Sequence, residues 1–262
     1  MRIFLVIDET NFYQPNFVAD LIKEGSHEFV GCALVTKIPA RNSLENYMLK
    51  NYTYLTLPEI AKLVLKKLKY KTFDLVKITQ PDTFYSVKSV LEYYNIPYFE
   101  VKDDINKPFY LQKIEGYRPE LLLSSNSLYF KKKLLNIAPY CINRHSSLLP
   151  SYGGLWPIFQ ALKNNEGYVG VSVHLMESKI DHGEVIAQIK IKVSKNDTVD
   201  ILYQKCFAIS AQVCFNAIQH LHLKANKRIF LDSTKDNSKD SYFSFPTKDD
   251  WVKFRKNQHR FI

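Results

Sequence analysis

Arg2-Ile3-Phe4-Leu5-Val6-Ile7-Asp8 opens the chain as an apolar run closed by an acid. A short run of branched and aromatic residues of this kind reads as a strand buried on both faces. Working outward, residues 29–35 read as a second strand, residues 72–78 as a third, and residues 97–101 and 120–123 as short ones. Helical spacing fills the intervals. It covers residues 15–24 (with Pro15 near the start and Gly25 just past the end), residues 58–68 (with Ile60, Leu63, Val64 and Leu68 on one stripe), residues 86–94 and residues 129–135. Such alternation predicts an α/β fold: a Rossmann-like, open, mostly parallel sheet with helices on both faces. The first turn, Asp8-Glu9-Thr10-Asn11-Phe12-Tyr13, contains no glycine. A backbone cradle for a dinucleotide or a P-loop phosphate is therefore not expected there.

With 262 residues, 46% of them hydrophobic, the chain can bury one sizeable core. No apolar run approaches the roughly 18–20 residues of a membrane span. The short first run lacks a small-residue cleavage site, so no signal peptide is expected, and a cytoplasmic protein with no membrane partner is. Cys32, Cys141, Cys206 and Cys214 show no metal-ligand spacing and read as reduced, mostly buried thiols. The formal net charge of +10 is scattered over clusters at residues 66–71, 131–133 and 253–256, each in a helix-like segment. Scattered charge of this sort reads as solvated faces that favour anionic small molecules, and no nucleic-acid partner is expected. After Thr198 a long helix is predicted, with Leu202, Cys206, Ile209, Val213, Ala217 and Leu221 at three- and four-residue steps. Residues 232–240 read as a polar linker.

Glycine is scarce, eight in all, yet five of them (Gly153, Gly154, Gly167, Gly170, Gly183) fall between residues 153 and 183. His145, His174 and His182, three of the seven histidines, lie in or beside that window. Scarce glycine gathers where a backbone must turn sharply or meet a ligand. Residues 140–145 read as a strand, so Asn143 and His145, two apart, point to one side at its carboxyl end, the usual ligand edge of an open sheet. Residues 169–176 and 184–193 read as two more strands, with Asp181 in their connection. An amide, an imidazole and a carboxylate can thus converge from two loops. Taken singly, each also has an ordinary structural role in turns or core. The G-x-S-x-G elbow is missing, and His174 and His182 lack zinc-site spacing, so no metal is expected.

Asn143-Arg144-His145-Ser146-Ser147-Leu148-Leu149-Pro150 closely resembles the N-x-H-x-S-L-L-P motif of the formyltetrahydrofolate-dependent formyltransferases. Gly170-Val171-Ser172-Val173-His174, then Ile180-Asp181-His182-Gly183-Glu184-Val185-Ile186-Ala187-Gln188, looks like that family's second signature, in the right order and at the right spacing. The resemblance covers residues 118–195 well. It implies that Asn143, His145 and Asp181 form the catalytic triad. Asn143 and a protonated His145 would stabilise the oxyanion, and Asp181 would keep His145 charged and help remove the amine's proton. It implies N10-formyltetrahydrofolate as co-substrate, held between Ser125, Ser127 and Leu128 on one side and Ser178, Ile180 and Gly183 on the other. It implies a catalytic formyltransferase domain over residues 1–196, with a C-terminal helix and tail over 197–262 packed on the core or at a homodimer interface. Arg144-His145-Ser146-Ser147 followed by Tyr152-Gly153-Gly154-Leu155 looks most like the nucleotide-linked amino-sugar N-formyltransferases. The tail's Tyr242-Phe243-Ser244-Phe245-Pro246 also resembles theirs. The implied acceptor is a dTDP- or UDP-bound amino deoxysugar used for surface polysaccharide, with Tyr152 and Trp156 beside it. The alternatives are a methionyl-tRNA formyltransferase-like enzyme, or a formyltransferase-like folate or nucleotide binding protein without turnover.

Overall fold

Ile3 to Ile7 are fully buried in β1 (Arg2–Asp8), at the middle of a seven-stranded sheet. The structure is a computed structural model that describes residues 1–10, 12–24, 27–37, 53–76, 83–226 and 241–262. On one side of β1 lies β2 (Glu28–Val35), then β3 (Tyr98–Val101); on the other lie β4 (Leu121–Ser125) and β5 (Tyr140–His145). These five strands are parallel. Chain order therefore reverses at β1, with β2 on one side and β4 on the other, which opens a crevice outside their carboxyl ends. Two further strands complete the sheet beyond β5: β7 (Tyr168–Leu175), antiparallel to β5, and β8 (Val185–Lys192), antiparallel to β7.

Helices cover both faces. One layer contains α1 (Gln14–Glu24) and α7 (Val199–Asn226), whose Leu202, Cys206, Val213, Cys214, Ala217 and Leu221 are buried, much as the spacing predicts. Opposite them, Phe4, Val6, Ala33, Leu122 and Cys141 pack on Tyr110, Leu111 and Ile114 of α4 (Pro108–Gly116) and on Leu134 of α5 (Lys132–Leu135). All four cysteines are free and buried, as expected.

Residues 72–78 depart from the sequence reading. The helix α2 (Leu57–Leu75) runs through Thr72, Phe73 and Asp74 instead of giving way to a strand; residues 77–82 lie outside the described residues. Contacts of the last turn hold it helical: Phe73 packs edge-on to Tyr85, and Asp74 accepts from the Ser86 and Ser89 hydroxyls at 2.7 and 2.6 Å. At the other end the backbone N–H and hydroxyl of Thr56 both donate to Glu59, closing the helix start. After this comes α3 (Val87–Tyr93), whose first two N–H groups donate to the Glu9 carboxylate at 3.1 and 2.9 Å. Two helices with Pro at their starts, α4 and α6 (Pro157–Lys163), are additions to the sequence reading. The linker read at residues 232–240 also lies outside the described residues.

The chain's end folds back onto the body. Tyr242–Phe243 form β9, which pairs in parallel with β6 (Gly153–Gly154). Then α8 (Lys248–Lys256) starts at Thr247, whose hydroxyl accepts from the Asp250 N–H, and buries Trp251 and Phe254 against Phe159 of α6. These rings share one core with β1 and α7. Trp251→Ala should accordingly destabilise the protein by about 3–5 kcal/mol. Val252→Ala, at a residue 58% exposed, should stay within roughly 0.5 kcal/mol. Urea unfolding compares them, and equal midpoints for the two variants would contradict this packing.

Candidate active site

Strand alternation sends Asn143 and His145 to one side of β5, with Arg144 between them on the other. Arg144 is buried against α7, where its Nε donates to Ser210 Oγ at 2.8 Å and its guanidinium lies 3.7 Å from the centre of the Phe207 ring. It thereby pins β5 to the helical layer. Across the antiparallel ladder to β7, Asn143 sits opposite His174. That register brings Asn143 Nδ2 within 3.3 Å of His174 Nε2.

Asp181 comes in from the β7–β8 connection. Its φ of 56° is left-handed, a conformation Asp tolerates better than most residues. Two residues on, a side chain at Gly183 would collide with the Leu175 carbonyl, so the connection can close this tightly only with glycine there. The Asp181 carboxylate lies between two histidines. Oδ1 is 3.5 Å from His174 Nε2, and Oδ2 is 3.9 Å from His145 Nδ1 while accepting the Gly154 N–H at 2.8 Å. The three residues expected to form a triad are thus brought together, and His174 joins them.

The hydrogen bonds fix the ring states. A carbonyl only accepts, so His145 Nε2 carries the proton it donates to Tyr152 O at 3.1 Å. Neutral His145 then presents a bare Nδ1 to Asp181. By the same logic His174 Nδ1 donates to the Leu175 carbonyl at 2.8 Å, and its Nε2 lies 3.3 Å from Asn143 Nδ2 and 3.5 Å from Asp181 Oδ1. Burial pushes His145 below its ordinary value of 6.5, against the opposing pull of Asp181. In the resting site loss of solvent thus outweighs the carboxylate, while the expected role of Asp181 concerns the protonated ring present as the oxyanion develops. Burial alone would raise Asp181. Once His145 is protonated, its charge, together with the His174 contact and the Gly154 N–H, reverses that and holds Asp181 at about 2.

Residues of the two motifs interlock. Ser172 Oγ donates to Ser147 O at 2.6 Å and accepts from Leu149 N at 3.1 Å and from Gln188 Nε2 at 2.8 Å; Gln188 also donates to Leu149 O at 3.0 Å. The C-terminal segment grips the same loop. Gly153 N donates to Ser241 O at 2.9 Å, Leu155 N donates to Phe243 O at 2.8 Å, and the Tyr152 and Phe243 rings stack 5.5 Å apart. Gly154, with φ of 88°, has no room for a side chain beside the Phe243 carbonyl.

The remaining expected residues divide. Tyr129 OH donates to Ser178 O at 3.3 Å, so the loops carrying Ser127–Leu128 and Ser178–Gly183 adjoin. Ile180 is exposed and Gly183 buried. Ser127 donates to Asp8, Leu128 packs on the β1–β4 layer, and Ser125 is buried and bonded to Gln14. Tyr152 touches the site through its backbone, while its hydroxyl donates to Glu166 at 2.6 Å. Trp156 packs among Phe159, Trp251 and Phe261. Sequence reasoning gave no role to His174 or to Asp8. Asp8 ends β1 at the crevice, its carboxyl is pushed up by burial to about 7, and its Oδ1 finds no partner among the described residues. A histidine facing the motif strand was the available signal for the first; an acid closing a buried strand was the signal for the second. Among the described residues no group of three or more His, Cys, Asp or Glu could hold a metal ion.

Comparison with known proteins bears on this arrangement. A bifunctional polymyxin resistance protein ArnA from Wigglesworthia glossinidia brevipalpis is 33% identical over 218 residues, covering 80% of this chain and 32% of that one. A methionyl-tRNA formyltransferase from Caldanaerobacter subterraneus subsp. tengcongensis is 28% identical over 176 residues, 63% of this chain and 57% of that one. The chain thus spans about a third and somewhat over half of the length of these curated relatives. A solved sugar N-formyltransferase from Shewanella sp. FDAARGOS_354 shares the fold, with a TM-score of 0.56 at 17% identity over 99% of this chain and 89% of that one. Residues 63–218, which include both motifs, match the formyl transferase family, and the chain belongs to it.

Proposed function

We propose that this protein transfers the formyl group of N10-formyltetrahydrofolate to the amine of a dTDP- or UDP-linked amino deoxysugar destined for surface polysaccharide. The observation that carries the transfer is the convergence of Asn143, His145, His174 and Asp181 at the carboxyl end of β5. The folate supplies the formyl carbon that the amine attacks. Asn143 Nδ2, 3.3 Å from His174 Nε2, carries the amide N–H that donates to the oxygen gaining negative charge. His145 starts neutral and takes up, at Nδ1, the proton leaving the amine, with Asp181 passing it on directly or through water. As a cation between Asp181 and that oxygen, His145 then stabilises the developing charge, and it returns the proton to the departing nitrogen.

Acceptor atoms line the proposed folate side. Asp8 Oδ1 is unpartnered beside Ser127, which suits the N–H donors of a pterin. The sugar acceptor rests on the resemblance of residues 144–155 and on the chemistry at the end of β1. There Glu9 already occupies the N-terminus of α3 and Asp8 adds a second carboxyl, an unfavourable setting for a ribonucleotide phosphate. Tyr152, whose carbonyl touches His145, is our acceptor-side residue, with Trp156 supporting it from the aromatic core. A homodimer belongs to this reading too, with Tyr242, half exposed, left to face a second copy. The similarity to methionyl-tRNA formyltransferases favours the second reading, a tRNA-directed enzyme.

Asn143→Ala and His145→Ala should each lower kcat by about two to three orders of magnitude with little change in KM. Asp181→Asn should do at least as much, and near-normal turnover in that variant would remove the carboxylate from the mechanism. The acid limb of kcat/KM should lie below pH 6.5, because neutral His145 is the active form and burial lowers its pKa. In Asp181→Asn that limb should move lower still, since the one nearby charge that raises it is gone; an upward shift would contradict the assignment. Mass spectrometry should find one added formyl group on a dTDP- or UDP-amino sugar, and only when N10-formyltetrahydrofolate is present. Formylation of methionyl-tRNA with no amino sugar accepted would promote the second reading. Folate binding with no acceptor formylated would leave a binding protein.

A further inference from the structure

Helix α2 is turned inside out. Its inward face is mostly ionic and aromatic, with Ile60 and Leu63 half-buried among those residues. Glu59, 5% exposed, holds both Arg255 guanidinium nitrogens at 2.8 and 2.6 Å; Lys66 pairs with Asp200 at 2.5 Å; Asp74 accepts from the Ser86 and Ser89 hydroxyls at 2.7 and 2.6 Å; Tyr70 and Phe73 meet Tyr85 edge-on. Its outward face is aliphatic. Leu57 is 82% exposed, Val64 50%, Leu65 66%, Leu68 56% and Leu75 73%. Of the stripe read from the sequence spacing, Ile60 and Leu63 are half-buried, while Val64 and Leu68 face solvent.

The geometry of the stripe narrows what it meets. At ~100° per residue, Leu57, Ala61, Val64, Leu68 and Leu75 fall within an arc of roughly 60°, with Leu65 beside it. Lys67 and Lys71 run along one edge, and Lys62 and Lys69 along the other, all exposed. The helix is about 28 Å long. Aliphatic residues bordered on both edges by lysine are the pattern of a helix that lies in a bilayer surface, its stripe among acyl chains and its ammonium groups at anionic headgroups. Pairing with a second copy would set lysine edge against lysine edge, which is repulsive. Thr72 is the one polar residue within the stripe, and it carries no charge to pair with a protein partner. No described helix is long and apolar enough to cross a membrane, so the contact is one of lying on the surface.

We propose that the outward face of α2 docks this protein on an anionic lipid bilayer, with Leu65 and Leu68 inserted and Lys62, Lys67, Lys69 and Lys71 on the headgroups. This replaces the expectation of no membrane partner, and it stands apart from the proposed chemistry because no α2 residue belongs to that site. The net charge of +10 orients the approach and makes binding fall with salt.

Co-sedimentation of the full chain with phosphatidylcholine vesicles, with and without phosphatidylglycerol, tests it. The wild type should pellet with the mixed vesicles and remain in solution with phosphatidylcholine alone. The double variant Leu65→Glu/Leu68→Glu changes only exposed positions and should keep its circular dichroism spectrum while losing at least tenfold in vesicle affinity. Lys67→Glu/Lys69→Glu should lose a similar amount. Lys132→Glu/Lys133→Glu, with the same change in charge on the exposed surface of α5, should retain most of the binding. No binding to mixed vesicles would overturn the proposal, as would equal loss in the α5 variant, which would mean binding by net charge alone. Light scattering in which Leu65→Glu/Leu68→Glu turns a dimer into a monomer, with no vesicle binding by the wild type, would overturn it in favour of a copy-to-copy interface.

Discussion

A buried carboxylate, Asp181, is the constraint on which the arrangement depends. Burial by itself would raise its pKa and favour the neutral acid. The Gly154 N–H, the His174 contact and, once protonated, the His145 charge make the charged form the stable one, and each of those partners comes from a different part of the chain. His145 ends β5, His174 lies in β7, and Gly154 sits in a loop held by residues 241–243. Because its folded pKa is depressed to about 2, Asp181 contributes stability that is present above its unfolded value of 3.8 and is lost as pH falls through about 2. The same ion thus ties the loop held by the C-terminal segment to the sheet.

That tie explains why the end of the chain matters for the site. β9 fixes β6, β6 fixes Tyr152 and Gly154, and those two backbone groups set the His145 tautomer and the Asp181 position. From the other side, Ser172 and Gln188 hold residues 147–149 through four hydrogen bonds to or through one hydroxyl and one amide. The two sequence motifs are therefore the halves of one hydrogen-bonded structure. Left-handed backbone at Tyr152, Trp156 and Asp181, with glycine at 154 and 183, is the local strain accepted to bring those halves together.

Much of this was legible in the sequence. The apolar run of residues 2–8, the alternation of Asn143 and His145, and the glycine-rich window marked the sheet, its ligand edge and the approaching Asp loop. What escaped depends on distances that spacing does not encode. His174 acquires its place from the β5–β7 register, which is a property of the folded ladder. The neutral state of His145 reflects burial outweighing one carboxylate. Helix α2 shows the limit most plainly: Ile60, Leu63, Val64 and Leu68 mark a helix correctly, but spacing alone does not say which face turns inward. There, Glu59, Lys66 and Asp74 decided the orientation through partners remote in sequence, Arg255 and Asp200 among them.

The claim that burial keeps His145 neutral, with its proton on Nε2 and a bare Nδ1 toward Asp181, is tested most directly by nitrogen NMR of the labelled histidine rings. The assignment of the signal would be secured with His145→Gln. At pH 7 the ring should be neutral and protonated on Nε2, titrating below 6.5. An imidazolium at pH 7, or a neutral ring carrying its proton on Nδ1, would contradict the account.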